Sequence, residues 1–101
     1  MLTEAEIAEI KQEIEKLQRE MGELGPVMRG SIVKIGTRTK QYYFSLNRDK
    51  KTHLIFLGKK RVERAKEYSA NYKRLLEIVE EMTTLVMKLL KSDIQLGEPD
   101  K

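Results

Sequence analysis

The sequence contains no cysteine, no tryptophan, a single histidine and only six aromatic residues. Without cysteine the chain has no disulfide, no thiolate nucleophile and no Cys-ligated metal, and His53 alone cannot build a multi-histidine metal site within one chain. His53 also has no carboxylate, serine or cysteine beside it in sequence that could support general-base catalysis. We therefore predict a protein that is not an enzyme and that has no catalytic residue, no metal and no cofactor.

The scarcity of aromatic residues and a hydrophobic fraction of 40% also limit the core. It has to be built from Ile, Leu, Val and Met, so no deep pocket for a small-molecule substrate is expected. No apolar run approaches the ~20 residues of a membrane span, and residues 1–6 lack the features of a secretory signal. We expect a cytoplasmic protein without a membrane partner, and its Glu, Lys and Ile content is typical of heat-adapted proteins.

A chain of 101 residues and 11.8 kDa has room for one small domain. Its first helix is predicted over residues 3–24, because Thr3 and Glu6 have the spacing of a capping box. Apolar residues then alternate at spacings of three and four, which is typical of a coiled-coil seam. These residues are Ile7, Ile10, Ile14, Leu17, Met21 and Leu24. Gly25, in a left-handed cap, and Pro26 are expected to end this helix.

Residues 30–57 contain three short runs of β-branched and aromatic residues, which predict three strands. The polar breaks at 36–40 and 47–51 have hairpin length, so an antiparallel three-stranded meander is expected. The alternation in the middle strand places Tyr42, Phe44 and Leu46 on one face. We predict that this face is turned to the core.

A second and stronger heptad pattern predicts a long helix over residues 59–91. Its seam comprises Ala65, Tyr68, Tyr72, Leu75, Val79, Met82, Val86 and Leu89. Both helices have one end at the sheet and can pair antiparallel. The predicted fold is therefore α+β, with two long helices forming an antiparallel coiled-coil stalk and the three-stranded meander inserted between them. Residues 93–101 are predicted to form a flexible tail.

The second helix is apolar over more than its seam, since Leu76 and Leu90 lie on one flank and Ile78 and Leu85 on the other. This width exceeds what one partner helix covers. Part of the excess could pack under the sheet. Our preferred interpretation is a homodimer interface that closes two chains into a four-helix bundle.

Charge is distributed very unevenly along the chain. Residues 1–27 have a net charge of −4 and residues 65–101 of −1, whereas residues 28–64 carry eleven basic and two acidic groups, which gives +9. An anionic partner would therefore meet a concentrated basic surface. The residues that we predict to contact nucleic acid are Lys34, Arg38, Lys40, Tyr43, Arg48, Lys50, Lys51, Lys59, Lys60, Arg61 and Arg64.

Two details favour an anionic partner. Lys59, Lys60 and Arg61 occupy the first turn of a helix, where the macrodipole disfavours cations but where a bound phosphate would be stabilised. Lys34 lies next to Tyr42 and Tyr43 in the predicted sheet, a combination of cations and aromatic rings found on nucleic-acid-binding surfaces. Lysine-rich turns also serve solubility and protect sheet edges, so a merely solvated surface is the competing interpretation.

The segments Gly30-Ser31-Ile32-Val33, Tyr42-Tyr43-Phe44 and Asn71-Tyr72-Lys73-Arg74-Leu75 resemble the pattern of a family of short uncharacterised archaeal and bacterial proteins. The resemblance covers about residues 24–91 and implies a helix, a three-stranded sheet and a long helix. Many members of that family carry a Cys-rich insertion before the Tyr-rich strand. Residues 36–40 replace it here, so no metal role is carried over.

Residues 30–72 are also similar to the arm-type DNA-binding domains of tyrosine integrases, through a Gly-Ser-Ile opening, an aromatic second strand, a basic hairpin and a following helix. That resemblance implies a sheet laid in the DNA major groove, contacted by Lys34, Arg38, Lys40, Tyr43, Arg48, Lys50 and Lys51. The catalytic integrase domain is absent.

The leading hypothesis is therefore a dimeric, non-enzymatic nucleic-acid-binding protein, more readily a DNA-binding than an RNA-binding one, with a mobile element or a virus as the expected source. The alternative is a coiled-coil module that binds another protein and whose basic surface only keeps it in solution.

Overall fold

The computed structural model describes residues 2–96. The elements follow in the order α1 (Glu4–Glu23), β1 (Ser31–Ile35), β2 (Gln41–Arg48), β3 (Lys51–Phe56) and α2 (Gly58–Lys91). This confirms the α+β class and the order helix, three-stranded antiparallel sheet, helix.

Helix α1 begins with the predicted capping box. The Thr3 hydroxyl accepts from the Glu6 amide at 3.1 Å, and the Thr3 amide donates to Glu6 Oε1 at 2.9 Å. Hydrogen bonds from the Thr3 backbone and side chain hold the pKa of the Glu6 carboxyl below its ordinary value. Two of the unpaired donors at the helix start are thereby satisfied reciprocally.

The end of α1 differs from the prediction. Leu24 is the C-cap in an extended conformation, and Gly25 is not among the glycines with positive φ, so the left-handed cap predicted at Gly25 is wrong. Pro26 disfavours helical geometry in the residue before it and ends the helix without that cap. The glycine has another role, because a Cβ added there would lie 3.1 Å from the Asn71 side-chain nitrogen.

The sheet has the order β1-β2-β3, with Phe44 opposite Ile32 on one side and Ile55 on the other. The second hairpin is tighter than predicted, because only Asp49 and Lys50 connect Arg48 to Lys51. Both residues have positive φ, 54° and 63°, which is the geometry of a type I′ turn.

Helix α2 ends in a Schellman motif. The Ile94 amide donates to the Leu89 carbonyl at 2.8 Å and the Asp93 amide to the Leu90 carbonyl at 3.0 Å, with Asp93 in the left-handed conformation at φ 56°. Asp93 and Ile94 therefore complete the helix end. Of the predicted tail, residues 97–101 lie outside the described residues.

The chain divides into two compact units. The sheet unit, residues 25–74, has its core between one face of the sheet and the start of α2: Phe44, Leu57, Val62 and Ala65 are buried, and Tyr42 and Leu46 pack against them. The predicted core face of β2 is confirmed. Gly30, at φ 153°, permits this packing, since a Cβ there would lie 2.7 Å from the Phe44 ring.

The helical unit comprises α1 and the part of α2 from Leu75 onward. Ile10 and Ile14 form a buried cluster with Leu89, and Met82, Leu85 and Val86 pack against it. The predicted α2 seam is wrong at one position in this unit, because Ile78 is 0% exposed whereas Val79 is 46% exposed. Leu89 is buried as predicted, and Met82 and Val86 pack against the same cluster. Ile78 and Val79 are neighbours in sequence and both are apolar, so the choice between them depends on what packs against α2 and not on the spacing alone.

Candidate nucleic-acid interface

The predicted basic residues lie in three short segments of the sheet unit. Arg38 and Lys40 lie between β1 and β2, and Lys59, Lys60, Arg61 and Arg64 occupy the first two turns of α2. Arg48, Lys50 and Lys51 form the β2–β3 turn and its flanks. We use the name basic surface for these nine residues together with Lys34.

The basic surface is divided between the two ends of the sheet. The Leu57 amide donates to the Tyr42 carbonyl at 2.9 Å, which places the start of α2 at the same end as Arg38 and Lys40. The β2–β3 turn lies at the opposite end, where the Arg29 guanidinium donates to the Asn47 carbonyl at 3.3 Å. The eight residues of β2 separate the ends by roughly 25 Å.

These cations are left available for an external anion. Of the two acidic residues in segment 28–64, Glu63 lies 3.5 Å from Lys66, outside the basic surface. Within residues 2–96, none of the ten residues of the basic surface forms an ion pair. All ten residues are exposed, so their charges are solvated and can be neutralised by a ligand. Arg61 also donates from Nε to the Leu57 carbonyl.

Lys34 is placed differently from the others. It lies on the core face of the sheet at its β1 edge, with Nζ 5.1 Å from the centroid of the Tyr42 ring. The predicted neighbourhood of Lys34 and Tyr42 is present as a cation–π contact within the chain. Tyr43 points to the other face, so the structure separates it from Lys34.

The sheet face opposite the core contains no charged residue. The register assigns ten residues to it, and we call it the open face: Ser31, Val33, Ile35, Gln41, Tyr43, Ser45, Asn47, Thr52, Leu54 and Phe56. None of the ten is buried. Tyr43 and Phe56 are cross-strand neighbours on it, with ring centroids 5.6 Å apart and ring planes at 70°.

Sequence reasoning missed Phe56, because only the middle strand was assigned a core face and the residues of the third strand were assigned to neither face. The structure leaves every residue of β3 exposed, including Leu54 and Ile55. The core contacts of the α2 start are with β2 and β1 residues, so the third strand has no helix over it. Two signals in the sequence could have located Phe56 on an exposed face. One is the alternation of side chains between the two faces of the third strand, and the other is the position of that strand at an edge of the meander.

The four predicted dimer residues fall into two groups. Leu76 and Leu90 are exposed, Leu90 by 72%, and are available to a partner. Ile78 is fully buried and Leu85 packs in the cluster of the helical unit, so these two serve the interior of the single chain. Exposed Val79 and Met87 continue the surface of Leu76 and Leu90 along α2.

No group of three or more His, Asp or Glu residues that could hold a metal ion occurs within residues 2–96. His53 is exposed in β3, opposite Leu46. None of the described helices is long and apolar enough to cross a lipid bilayer.

Comparisons with protein families, curated proteins and solved structures find no significant match to this chain.

Proposed function

We propose that the protein binds nucleic acid, in the first place DNA, through the basic surface. The observation that carries this proposal is the group of ten cationic side chains in the sheet unit, none of which forms an ion pair in the described chain. Lysine and arginine at such positions release the counterions of a nucleic acid when they approach its phosphates. The similarity to integrase arm-type domains supports DNA as the polymer.

The arrangement at the start of α2 adds to this support. Gly58 has φ 64° and directs the chain from β3 into the helix, and Arg61 Nε donates to the Leu57 carbonyl at 3.2 Å. The first turn contains no acidic residue. Each of its cations interacts unfavourably with the helix macrodipole and lowers the stability of the helix by a few tenths of a kcal/mol. A bound phosphate would interact favourably with both the cations and the macrodipole.

The test is direct binding of labelled duplex and single-stranded oligonucleotides at several salt concentrations. If about five phosphates are neutralised, a plot of log K against log[salt] for duplex DNA has a slope near −4 to −5. Failure to bind any oligonucleotide at low salt would overturn the proposal.

We further propose that the helical unit is an antiparallel coiled coil. Leu2 and Glu6 lie beside Lys88 and Lys91, whereas Leu17 lies beside Leu85. The order of these neighbours supports helices that run in opposite directions, with the alternating apolar spacing of α1 facing the later part of α2.

A homodimer is the third element of the proposal. Five residues, Leu76, Val79, Thr83, Met87 and Leu90, form an uncharged line along α2, which we call the α2 stripe. Their spacing of 3, 4, 4 and 3 reads the same in both directions. A twofold axis at Thr83 would therefore place Leu76 opposite Leu90 of the partner subunit and Val79 opposite the partner's Met87, as a self-complementary interface requires. The Thr83 hydroxyl donates to the Val79 carbonyl at 2.6 Å and needs no partner across such an interface.

The same stripe favours one alternative function, a module that binds a helix of another protein. Sedimentation separates the two possibilities. A dimer at micromolar concentration supports self-association, whereas a monomer would assign the α2 stripe to a different partner.

A further inference from the structure

The open face presents an aromatic ring that is held in place and half exposed. Phe56 is 47% exposed. Tyr43 contacts its ring edge-to-face, and a Cβ added at Gly58 would lie 3.3 Å from it. The Tyr43 contact restricts the ring, and the absence of a side chain at Gly58 leaves room beside it, so that a planar group can stack on the exposed part with little loss of side-chain freedom.

The basic surface borders this face at both ends. Gly58, which lies against the Phe56 ring, is followed directly by Lys59 and Lys60. The β2–β3 turn, with Lys50, lies at the far end of the same strands. A ligand along the open face therefore meets cations at both ends and uncharged surface between them.

We propose that the open face binds single-stranded nucleic acid, with bases stacked on Phe56 and Tyr43 and the phosphates at the two basic ends. This inference rests on the proposed function and names its substrate class. Bases in a duplex are stacked on one another, whereas unpaired bases expose their faces to aromatic side chains. The charge at both ends selects a polyanion over an apolar peptide as the occupant of this face.

A first test adds a stacking group and a signal at the same position. Because the chain has no tryptophan, the Leu54→Trp variant would have a single one, on the open face beside Ser45. A single-stranded oligonucleotide of about 16 nucleotides is expected to quench its emission and to bind more tightly than it binds the parent protein. A duplex of the same sequence is expected to leave the emission nearly unchanged.

A second test removes a ring. Phe56→Leu is expected to lower affinity for the single strand about tenfold and affinity for the duplex less than twofold, since stacking on an aromatic ring contributes to single-strand binding only. The matched control is Ile55→Ala, a neighbouring residue of similar exposure on the opposite face, which is expected to change neither affinity. Thermal unfolding of each variant verifies that it is folded.

The outcomes distinguish this inference from the proposed function. Salt-dependent binding of both polymers that is indifferent to Phe56→Leu, with no quenching in Leu54→Trp, would overturn the inference and leave nucleic-acid binding intact. An equal loss of single-strand affinity in Phe56→Leu and Ile55→Ala would overturn the inference as well. An absence of any binding at low salt would overturn both.

Discussion

The side-chain amide of Asn71, on α2, donates a hydrogen bond to the Pro26 carbonyl at 2.9 Å. Two residues further on, the Met28 amide donates to the Tyr68 carbonyl at 3.1 Å. The connection between α1 and β1 is thus hydrogen-bonded to the side of α2. This gives a structural reason for Asn71 on α2 and for the absence of a side chain at Gly25, where a Cβ would lie 3.1 Å from the Asn71 side-chain nitrogen.

Removal of this contact is expected to destabilise the sheet unit. Asn71→Asp keeps the shape of the side chain but replaces the donor by a carboxylate that faces a carbonyl oxygen. We expect the free energy of unfolding in urea to fall by about 1–2 kcal/mol. Lys73→Ala, an exposed change nearby on α2, serves as control, and an equal effect of the two variants would contradict the role of the hydrogen bond.

The β2–β3 turn holds a lysine in a conformation that favours glycine. Lys50 has φ 63°, which costs a residue with a Cβ about 1 kcal/mol or more. Lys50→Gly creates the Asp-Gly pair preferred in type I′ turns, so a gain of roughly 1 kcal/mol is expected in chemical unfolding. The same variant should flatten the salt dependence of duplex binding by about one unit if Lys50 contacts a phosphate. A loss of stability would show that the turn has another geometry in solution.

The pKa of Glu6 reports whether the capping box is formed. The Thr3 backbone amide is the largest cause of its lowering, followed by the Thr3 side chain. A lowered folded pKa means that this contribution to stability is present above the ordinary pKa of the carboxyl and is lost as the pH falls through the folded value. Thr3→Pro, compatible with φ −82°, removes the backbone N–H and the hydroxyl of Thr3 and should return the pKa of Glu6 towards its ordinary value in an NMR titration. A titration of Glu6 at its ordinary pKa in the parent protein would argue against the capping box.

The salt dependence of nucleic-acid binding should depend on where in the chain the cationic residues lie and not only on the net charge. Simultaneous replacement of Lys59, Lys60 and Arg61 by Gln is expected to flatten the slope of log K against log[salt] by about two to three units. Stability should be nearly unchanged, because the removal of three cations from a helix N-terminus offsets the loss of the hydrogen bond from Arg61 to the Leu57 carbonyl. Replacing Lys11, Lys16 and Arg19 of α1 by Gln removes the same charge elsewhere and should leave the slope unchanged. Identical behaviour of the two triple variants would mean that only net charge matters.

Self-association is expected to depend on the α2 stripe. Leu90→Glu places a charge at the most exposed of the large hydrophobic residues and should convert a dimer to a monomer in sedimentation, at little cost to the folded chain. Lys88→Glu lies outside the stripe and should leave the dimer intact. Leu85→Glu is less informative, since Leu85 packs in the interior of the helical unit and its loss would unfold the chain. A dimer that tolerates Leu90→Glu would place the interface elsewhere.

Local chemistry in the sequence was sufficient for several parts of the fold. The pair Thr3 and Glu6 located the start of α1, and the alternation through Phe44 located the core face of β2, because both depend on neighbours in the chain. The choice between Ile78 and Val79 depends on how α2 is wound and on what packs against it, and a heptad count does not contain that information. Ile55 is on the core face of the sheet and yet 54% exposed, which depends on where α2 crosses that face and is also a tertiary property.

Each hydrophobic cluster of the structure joins an early segment to a late one. Phe44 is buried in one cluster with Leu57, Val62 and Ala65. Ile10 and Ile14 are buried in the other with Leu89. During synthesis, the sheet therefore leaves the ribosome before the residues that cover it, and Ile10 and Ile14 of α1 have no buried partner until Leu89 has been made. Neither cluster can close until α2 has been translated, so a chain interrupted before residue 62 would expose the apolar face of its strands to proteases and to other nascent chains.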